Sequence, residues 1–549
     1  QYNVFAGDPG FITQDIENIK AVTKEDILRV YETYIKDKPF VLTSFVPKGQ
    51  LDLAAKNSVM AAVVEEEIKE NLDVEVIERN NEVIKTPSNF DRSIEPGQGV
   101  SPKLNIPESW SATTANQMKV LGVEQTELPL VNFSLIIDGG HMLDSFDKNG
   151  VANLMTDIMM EGTANRTPQE LEEAIELLGA SINMRTGNEA ITISGNTLVR
   201  NFRETMDLVE EILLNPRWDE EELKRIKLST INSIKRSSAN PNVVSRNVRN
   251  KVLYGEKHML AYPISGSVTS VEAITMNDLK SFYENYFSPS VSRFHIVGNI
   301  DKEEVLTVLE DLESKWAVKE VSIPTYPLPE KRDKASLYFV DIPNAKQSVI
   351  DIGYLSMART DSDFFAATVM NYKLGGSFSG NVNLILREEK GYTYGARTGF
   401  SGTKTPGTFS ASSSVRTNTT YESVQIFKEE IEKYKNGITQ EDLDFTKNAL
   451  IKSNARRFES QYSLLNMLQN ISAYNLSSDY IAEEEQIIEN MTLEQHKLLA
   501  NKYLDATEMG YLVVGDAATQ FENFKNAGFD EVILLDKDAK EIKVLDIKL

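Results

Sequence analysis

The sequence contains no cysteine. Disulfide frameworks, thiolate nucleophiles and thiolate metal sites are therefore excluded. Histidine is nearly as scarce: His141, His258, His295 and His496 are the only four in 549 residues, and no two lie close together. Basic side chains are outnumbered, 58 against 82 acidic ones, giving a formal net charge of −24. Such a polyanion repels phosphate backbones and anionic headgroups, which argues against nucleic acid and membrane-surface partners; it would attract a cationic peptide, although acidity of this kind is usually a solubility feature. No apolar run approaches the ~18 residues a membrane span needs, so no membrane insertion is expected. Gln1 is neither an initiator Met nor the start of a basic-then-apolar leader, and the beginning reads as a cut.

What is present is ordinary globular composition, 41% hydrophobic and 26% charged, in a chain long enough for about three or four domains. The chain repeats itself. Ile19 to Val46, Val271 to Gly298 and Ile488 to Gly515 share one pattern: a Thr, apolar positions at helical spacing, a Tyr eleven residues later, and then an apolar run. Thr23, Thr275 and Thr492 are the expected helix N-caps, and a strand is expected after Tyr34, Tyr286 and Tyr503. Thr167-Pro168-Gln169-Glu170 is a capping box with Pro at the first helical position, and Gly179 should end that helix. Two hairpins are expected, one around Gly187-Asn188 and one around Thr405-Pro406-Gly407.

These landmarks divide the chain into residues 1–60, the tail of a preceding unit; 61–116, a linker holding Glu65-Glu66-Glu67 and ending in an extended stretch; and two homologous units, 117–325 and 330–549. Hairpin strands mixed with amphipathic helices argue for an α+β fold with antiparallel sheets rather than a doubly wound parallel one.

One stretch carries chemistry: N-Y-K-L-G-G-S-F-S-G-N-V-N-L-I-L-R-E-E-K-G-Y-T-Y, residues 371–394. A helix bearing Leu384, Ile385, Leu386 and Arg387 should stop at Gly391 and turn into a strand. Arg387 and Tyr394 could then face one point, a pair of donors suited to a carbonyl acquiring negative charge. Tyr392, two residues earlier, would share the face of Tyr394 on a regular strand. The glycines lack the Lys-Ser/Thr of a phosphate loop and do not form G-x-S-x-G.

Together these residues resemble the insulinase/pitrilysin-type zinc metallopeptidases, the inverted-motif zincins. The resemblance implies paired α+β units forming one half of a clamshell around a peptide substrate. It also locates a degenerate zinc motif. The family pattern of a Gly, an H-x-x-E-H helix and a Gly-Thr is met here by Gly150 to Thr163, with Asn153, Thr156 and Asp157 at the His, Glu and His places. Asn232 and Ser233 stand where the distal carboxylate ligand is expected. Thr156 is no general base near neutral pH, and one Asp with one Asn is a poor zinc site, so no metal is expected in this chain. Arg387 and Tyr394 match the family positions that orient the peptide and donate to the oxyanion.

The resemblance therefore implies the C-terminal portion of a one-chain peptidase, inactive alone, with zinc held by the N-terminal half of the same protein. The rival expectation is a non-catalytic scaffold or peptide-binding subunit. A bacterial periplasm or cell envelope is the setting the resemblance suggests.

Overall fold

The computed structural model describes residues 1–47, 49–62, 89–91, 94, 99, 104–525, 527–529 and 531–542. The acidic run Glu65-Glu66-Glu67 and most of the linker lie outside them. The chain forms two compact units, residues 1–96 and 97–549.

In the smaller unit, Phe11–Ala21 and Lys24–Tyr34 are helices. Thr23 caps the second by accepting from the Asp26 amide, while the Asp26 carboxylate accepts from the Thr23 amide. The strand expected after Tyr34 does not form: residues 38–47 pair with no other strand among the described residues. A strand needs a ladder partner for its N–H and C=O groups, and none lies beside this segment among the described residues.

The larger unit contains two six-stranded sheets. Six strands make the first: β1 (Trp110–Thr113), β2 (Lys119–Glu124), β3 (Leu130–Asp138), β4 (Ser181–Thr186), β5 (Ala190–Leu198) and β6 (Ser292–Gly298), ordered β1-β2-β6-β3-β5-β4. The second holds β7 (Ser336–Asp341), β8 (Gln347–Leu355), β9 (Thr393–Phe400), β10 (Thr408–Arg416), β11 (Gly510–Gly515) and β12 (Glu531–Leu535), ordered β12-β7-β11-β8-β10-β9. Both sheets are α+β and largely antiparallel. The exceptions are parallel: β2 with β6 in one, and β7 with β11 and β12 in the other. Trp110–Thr113, read from sequence as the end of the linker, is instead edge strand β1, held to β2 by four residue pairs. Its apolar Trp110 and Ala112 pack on the first core, which draws the segment onto the sheet.

The capping boxes at Thr167, Thr275 and Thr492 are all formed, and both expected hairpins are present as β4–β5 and β9–β10. Each sheet packs one face on its own helices, around Phe133, Phe202 and Phe294 in the first core and Phe339, Phe427 and Tyr511 in the second. The opposite faces are covered by exchange. Helix Gln461–Tyr474, from the second half, places Leu464, Leu465 and Leu468 on Leu121, Val123 and Val297 of the first sheet. Helix Pro241–Tyr254, from the first half, places Val244 and Val248 on Val340, Val349, Leu512 and Val514 of the second. Each apolar face is thus removed from water only by the other half of the unit.

Candidate functional site

The stretch 371–394 is built from two helix ends and an edge strand. Helix Phe364–Asn371 buries Phe364, Ala367, Val369 and Met370, then widens into a π-helical turn, Tyr372–Gly376. Gly375 closes it because β9 passes too near for a side chain: a Cβ there would lie 2.6 Å from the Thr398 amide nitrogen. A short turn Asn381–Asn383 continues into a second π-helical turn, Leu384–Glu389, rather than the regular helix the sequence suggests. Such turns are rare and recur at functional sites. This one buries Leu386 in the second core and leaves Arg387 partly exposed, with its guanidinium carbon 4.5 Å from the centre of the Phe378 ring and its Nε 3.4 Å from a Glu388 carboxylate oxygen. A cation held over an aromatic face is oriented yet still able to donate.

Gly391, at φ +65°, ends the turn and releases the chain into β9. There Thr393 pairs with Val415 and Ala396 with Ser413, so Tyr394 and Gly395 together oppose the single residue Ser414. This β-bulge is fastened on every side. Thr393 Oγ1 donates to the Ser414 carbonyl at 2.7 Å and accepts from the Gly395 amide at 3.1 Å. Buried Asn383 accepts from the Ala396 amide at 3.0 Å and donates to the Phe378 carbonyl at 2.7 Å. Asn371 donates to the Thr398 carbonyl at 2.9 Å and accepts from the Thr398 hydroxyl at 2.6 Å. A bulge at a sheet edge re-aims a side chain. Tyr394 is the residue it turns outward: 92% exposed, with no hydrogen-bond partner among the described residues.

Tyr392, just before the strand, does not share that face. Its ring packs on the second core, and its hydroxyl donates to Glu422 at 2.7 Å, an interaction that raises its pKa. No hydrogen bond joins Arg387 to Tyr394: Tyr394 stands in solvent, whereas Arg387 is partly exposed and held by Glu388 and Phe378. Asn371, Asn383 and Thr393, which hold the bulge in place, were not singled out from sequence. Their role depends on the β9–β10 register, for which a single sequence carries no signal.

The other candidate residues lie on helix Val151–Met159. Gly150 sits at φ +103°, and the Asp144 carboxylate accepts from the Gly150 and Ala152 amides at 2.7 and 3.0 Å while facing His141 Nδ1 at 2.9 Å. This buried network anchors the start of the helix, where the amide dipoles favour negative charge. Asn153 donates to Asp157 at 3.0 Å, and Thr156 donates to the Asn153 carbonyl at 2.9 Å with Thr186 Oγ1 3.1 Å away. Asn153 and Asp157 are thus bonded to each other, and Thr156 to the helix backbone and to Thr186. Burial and the nearby Glu161 push the Asp157 carboxyl up to about 6. Asn232 and Ser233 are exposed on helix Glu220–Ser237, which packs against this one.

The four histidines are all buried in hydrogen-bonded positions. His141 Nε2 faces the Tyr262 carbonyl at 3.1 Å, and His258 Nδ1 accepts from the Leu260 amide at 3.1 Å. His295 lies between Ser134 and Ser472, and His496 between Tyr434 and the Met370 carbonyl. Burial lowers the last two to about 3 and about 4, so both rings are neutral packing elements. Among the described residues, no three His, Cys, Asp or Glu side chains gather as a metal site requires. An Asn-Thr-Asp set with one carboxylate and no imidazole does not fit zinc, which binds two or more strong N, S or O donors.

A cavity of about 440 Å³ includes Val252, Leu253, Tyr354, Pro406 and Tyr503 in its lining. Neither Arg387 nor Tyr394 lines it, and its cations are engaged: Lys331 with Glu508, Lys502 with Asp363, and Arg332 with the Tyr338 hydroxyl.

With this geometry in hand, the chain can be compared with known proteins. The profile of the insulinase family, peptidase family M16, matches residues 119–266, and that of the peptidase M16 inactive domain matches residues 273–450. The chain belongs to the insulinase, or M16, family. Its M16 relatives include an uncharacterized zinc protease of Streptomyces coelicolor, 23% identical over 58% of this chain and 71% of that protein. A non-peptidase homolog of Helicobacter pylori, YmxG, is 22% identical over 73% of this chain and 93% of its own length. Among solved structures, the peptidase M16 inactive domain from Pseudomonas fluorescens superposes with a TM-score of 0.69, at 25% identity, covering 74% of this chain and 98% of its own. A protease from Helicobacter pylori shows the same fold, with a TM-score of 0.68 at 19% identity, covering 74% and 99%. The insulinase profile falls on the unit with the Asn-Thr-Asp helix, and the inactive-domain profile includes Arg387 and Tyr394.

Proposed function

We propose that this M16 chain is the substrate-binding half of a zinc metalloendopeptidase that degrades peptides in an enclosed chamber. In this reading, residues 1–60 are the tail of a preceding homologous unit, and the N-terminal half of the same protein brings the zinc. The observation that carries the reading is the β-bulge at Tyr394–Gly395, clamped by Asn371, Asn383 and Thr393. It holds a phenol in solvent, beside a stretch whose Arg387 is seated over Phe378. Asn371 and Asn383, which hold the bulge, are buried, while the phenol beside them is left in solvent, the placement of a ligand donor on a rigid support. Tyr394 donates to the oxygen that becomes negatively charged when a peptide carbonyl is attacked. Arg387 pairs with a carbonyl or carboxylate of the same peptide. Asn153, Thr156 and Asp157 take no part in the chemistry and support the fold.

A second reading, a peptide-binding or scaffold subunit that never cleaves, is favoured by the Asn153–Asp157 hydrogen bond and by Thr156 bonding to the helix backbone and Thr186, a set with one carboxylate and no imidazole. The reading frame upstream of Gln1 separates the two. An in-frame H-x-x-E-H at a distance of roughly two homologous units, with zinc at one equivalent in the whole product and none in residues 1–549 after dialysis, supports the peptidase. A frame without that motif overturns it.

A further inference from the structure

The small unit contains a repeat whose other two copies lie inside the sheets of the larger unit. All three begin with the same capping box: Thr23 with Asp26, Thr275 with Asp278, and Thr492 with Gln495. Each is followed by an eleven-residue helix ending in Tyr. Counting from that Tyr, residues 40–46 fall where β6 lies in the second copy and β11 in the third. The surroundings differ completely. Ile27 is 62% exposed, whereas its counterpart Leu279 is at 0%. Leu42 is 66% exposed, whereas its counterparts Phe294 and Tyr511 are both at 0%. Helices Phe11–Ala21 and Lys24–Tyr34 bury no side chain at all. Helices of this length are marginal in water without a packed face, and a row of exposed Ile, Val, Tyr and Phe is too much apolar surface for a free end.

We infer that residues 40–46, which pair with no strand among the described residues, are a central strand, that helix Lys24–Tyr34 is its cover, and that both dock on a sheet of this same build that lacks its third ordered strand. The two complete copies define the join. β6 runs parallel to β2 and antiparallel to β3, and β11 runs parallel to β7 and antiparallel to β8. Residues 40–46 enter between the first and second long strands of the partner sheet, parallel to one and antiparallel to the other, with Leu42 facing its core. A second copy of this chain cannot be the partner, because both of its sheets already hold that strand. A membrane surface is a poor fit, since the polar faces of these helices carry Asp15, Glu17, Glu25, Asp26 and Glu32 rather than a basic stripe. The partner is the last sheet of the zinc-bearing half, and in that identity alone the inference rests on the reading above.

Hydrogen exchange by mass spectrometry tests it, comparing residues 1–549 with the product of the whole reading frame. In residues 1–549, the amides of 41–46 should exchange in seconds, while those of 293–297 and 511–514 are protected. In the whole product, 41–46 should slow by about 100-fold or more, as expected for a central strand. Leu42→Asp in the whole product should abolish that protection and leave the unfolding transition of residues 104–535 unchanged. Protection of 41–46 in residues 1–549 alone, protection gained there only on adding anionic vesicles, or rapid exchange in both proteins overturns the inference. If the whole product cleaves peptides while 41–46 stays open, docking fails and the peptidase stands. If 41–46 is protected in a product without zinc, docking stands and the peptidase fails.

Discussion

At the scale of single residues, Asp157 is the sharpest probe of the helix that resembles a zinc motif. Its carboxyl sits near 6, against a usual value near 3.8, mainly because burial disfavours the charge. The folded state therefore binds this proton more tightly than the unfolded chain does. Ionisation costs stability fully above pH 6, and the cost fades as pH falls toward 4. Asp157→Asn should stabilise the protein at pH 7 by about 1–2 kcal/mol, less than the full shift implies because the group is partly exposed. The gain should vanish near pH 4, as urea unfolding at the two pH values will show. Had Asp157 been kept as a metal ligand, the same change would remove bound metal instead. The expectation that Asn153, Thr156 and Asp157 stand at the His, Glu and His places of a zinc motif rests on residue types and spacing alone. The network that absorbs them was not legible in the sequence, because Thr186 comes from a strand thirty positions away.

At the scale of elements, the helices, hairpins and caps were readable because their signals are local: Thr at the cap, Pro at the first turn, Gly at the stop. Apart from the π-helical turn Leu384–Glu389, the departures involve long-range pairing. β1 is a strand because β2 lies beside it, residues 40–46 have no strand beside them among the described residues, and the bulge at Tyr394 exists only in the register with β10. That register rests on Asn383. Asn383→Ala would leave the buried Ala396 amide without a partner and should cost about 1–3 kcal/mol, measured by urea unfolding. It should also lower peptide turnover in the whole enzyme while Tyr394 itself is intact. Gly375→Ala should destabilise as well, since its Cβ would press on the Thr398 backbone at 2.6 Å. Equal or higher stability in either variant would show that the stretch is looser than drawn.

At the scale of the molecule, the exchange of helices between the two sheets of the larger unit was not readable from the sequence. Helix Gln461–Tyr474 carries an apolar face like any other, and nothing in its sequence says which sheet it covers. That exchange predicts shared stability. Leu468 lies at 0% exposure on the first sheet, and Leu468→Ala should cost about 2–5 kcal/mol. Both halves should melt in one transition, seen as coincident unfolding of β6 and β11 by hydrogen exchange; separate transitions would refute the coupling. A rigid pair of sheets can hold an edge-strand donor at a fixed position, as the proposed function would require of it.

The central claim is that Tyr394 touches the reacting carbonyl, and hydrolysis of a quenched fluorescent peptide by the whole zinc-bearing polypeptide tests it most directly. With Tyr394→Phe, kcat should fall by about 10²–10³ with little change in KM, because the lost hydrogen bond forms fully only in the transition state. An unchanged kcat would contradict the account.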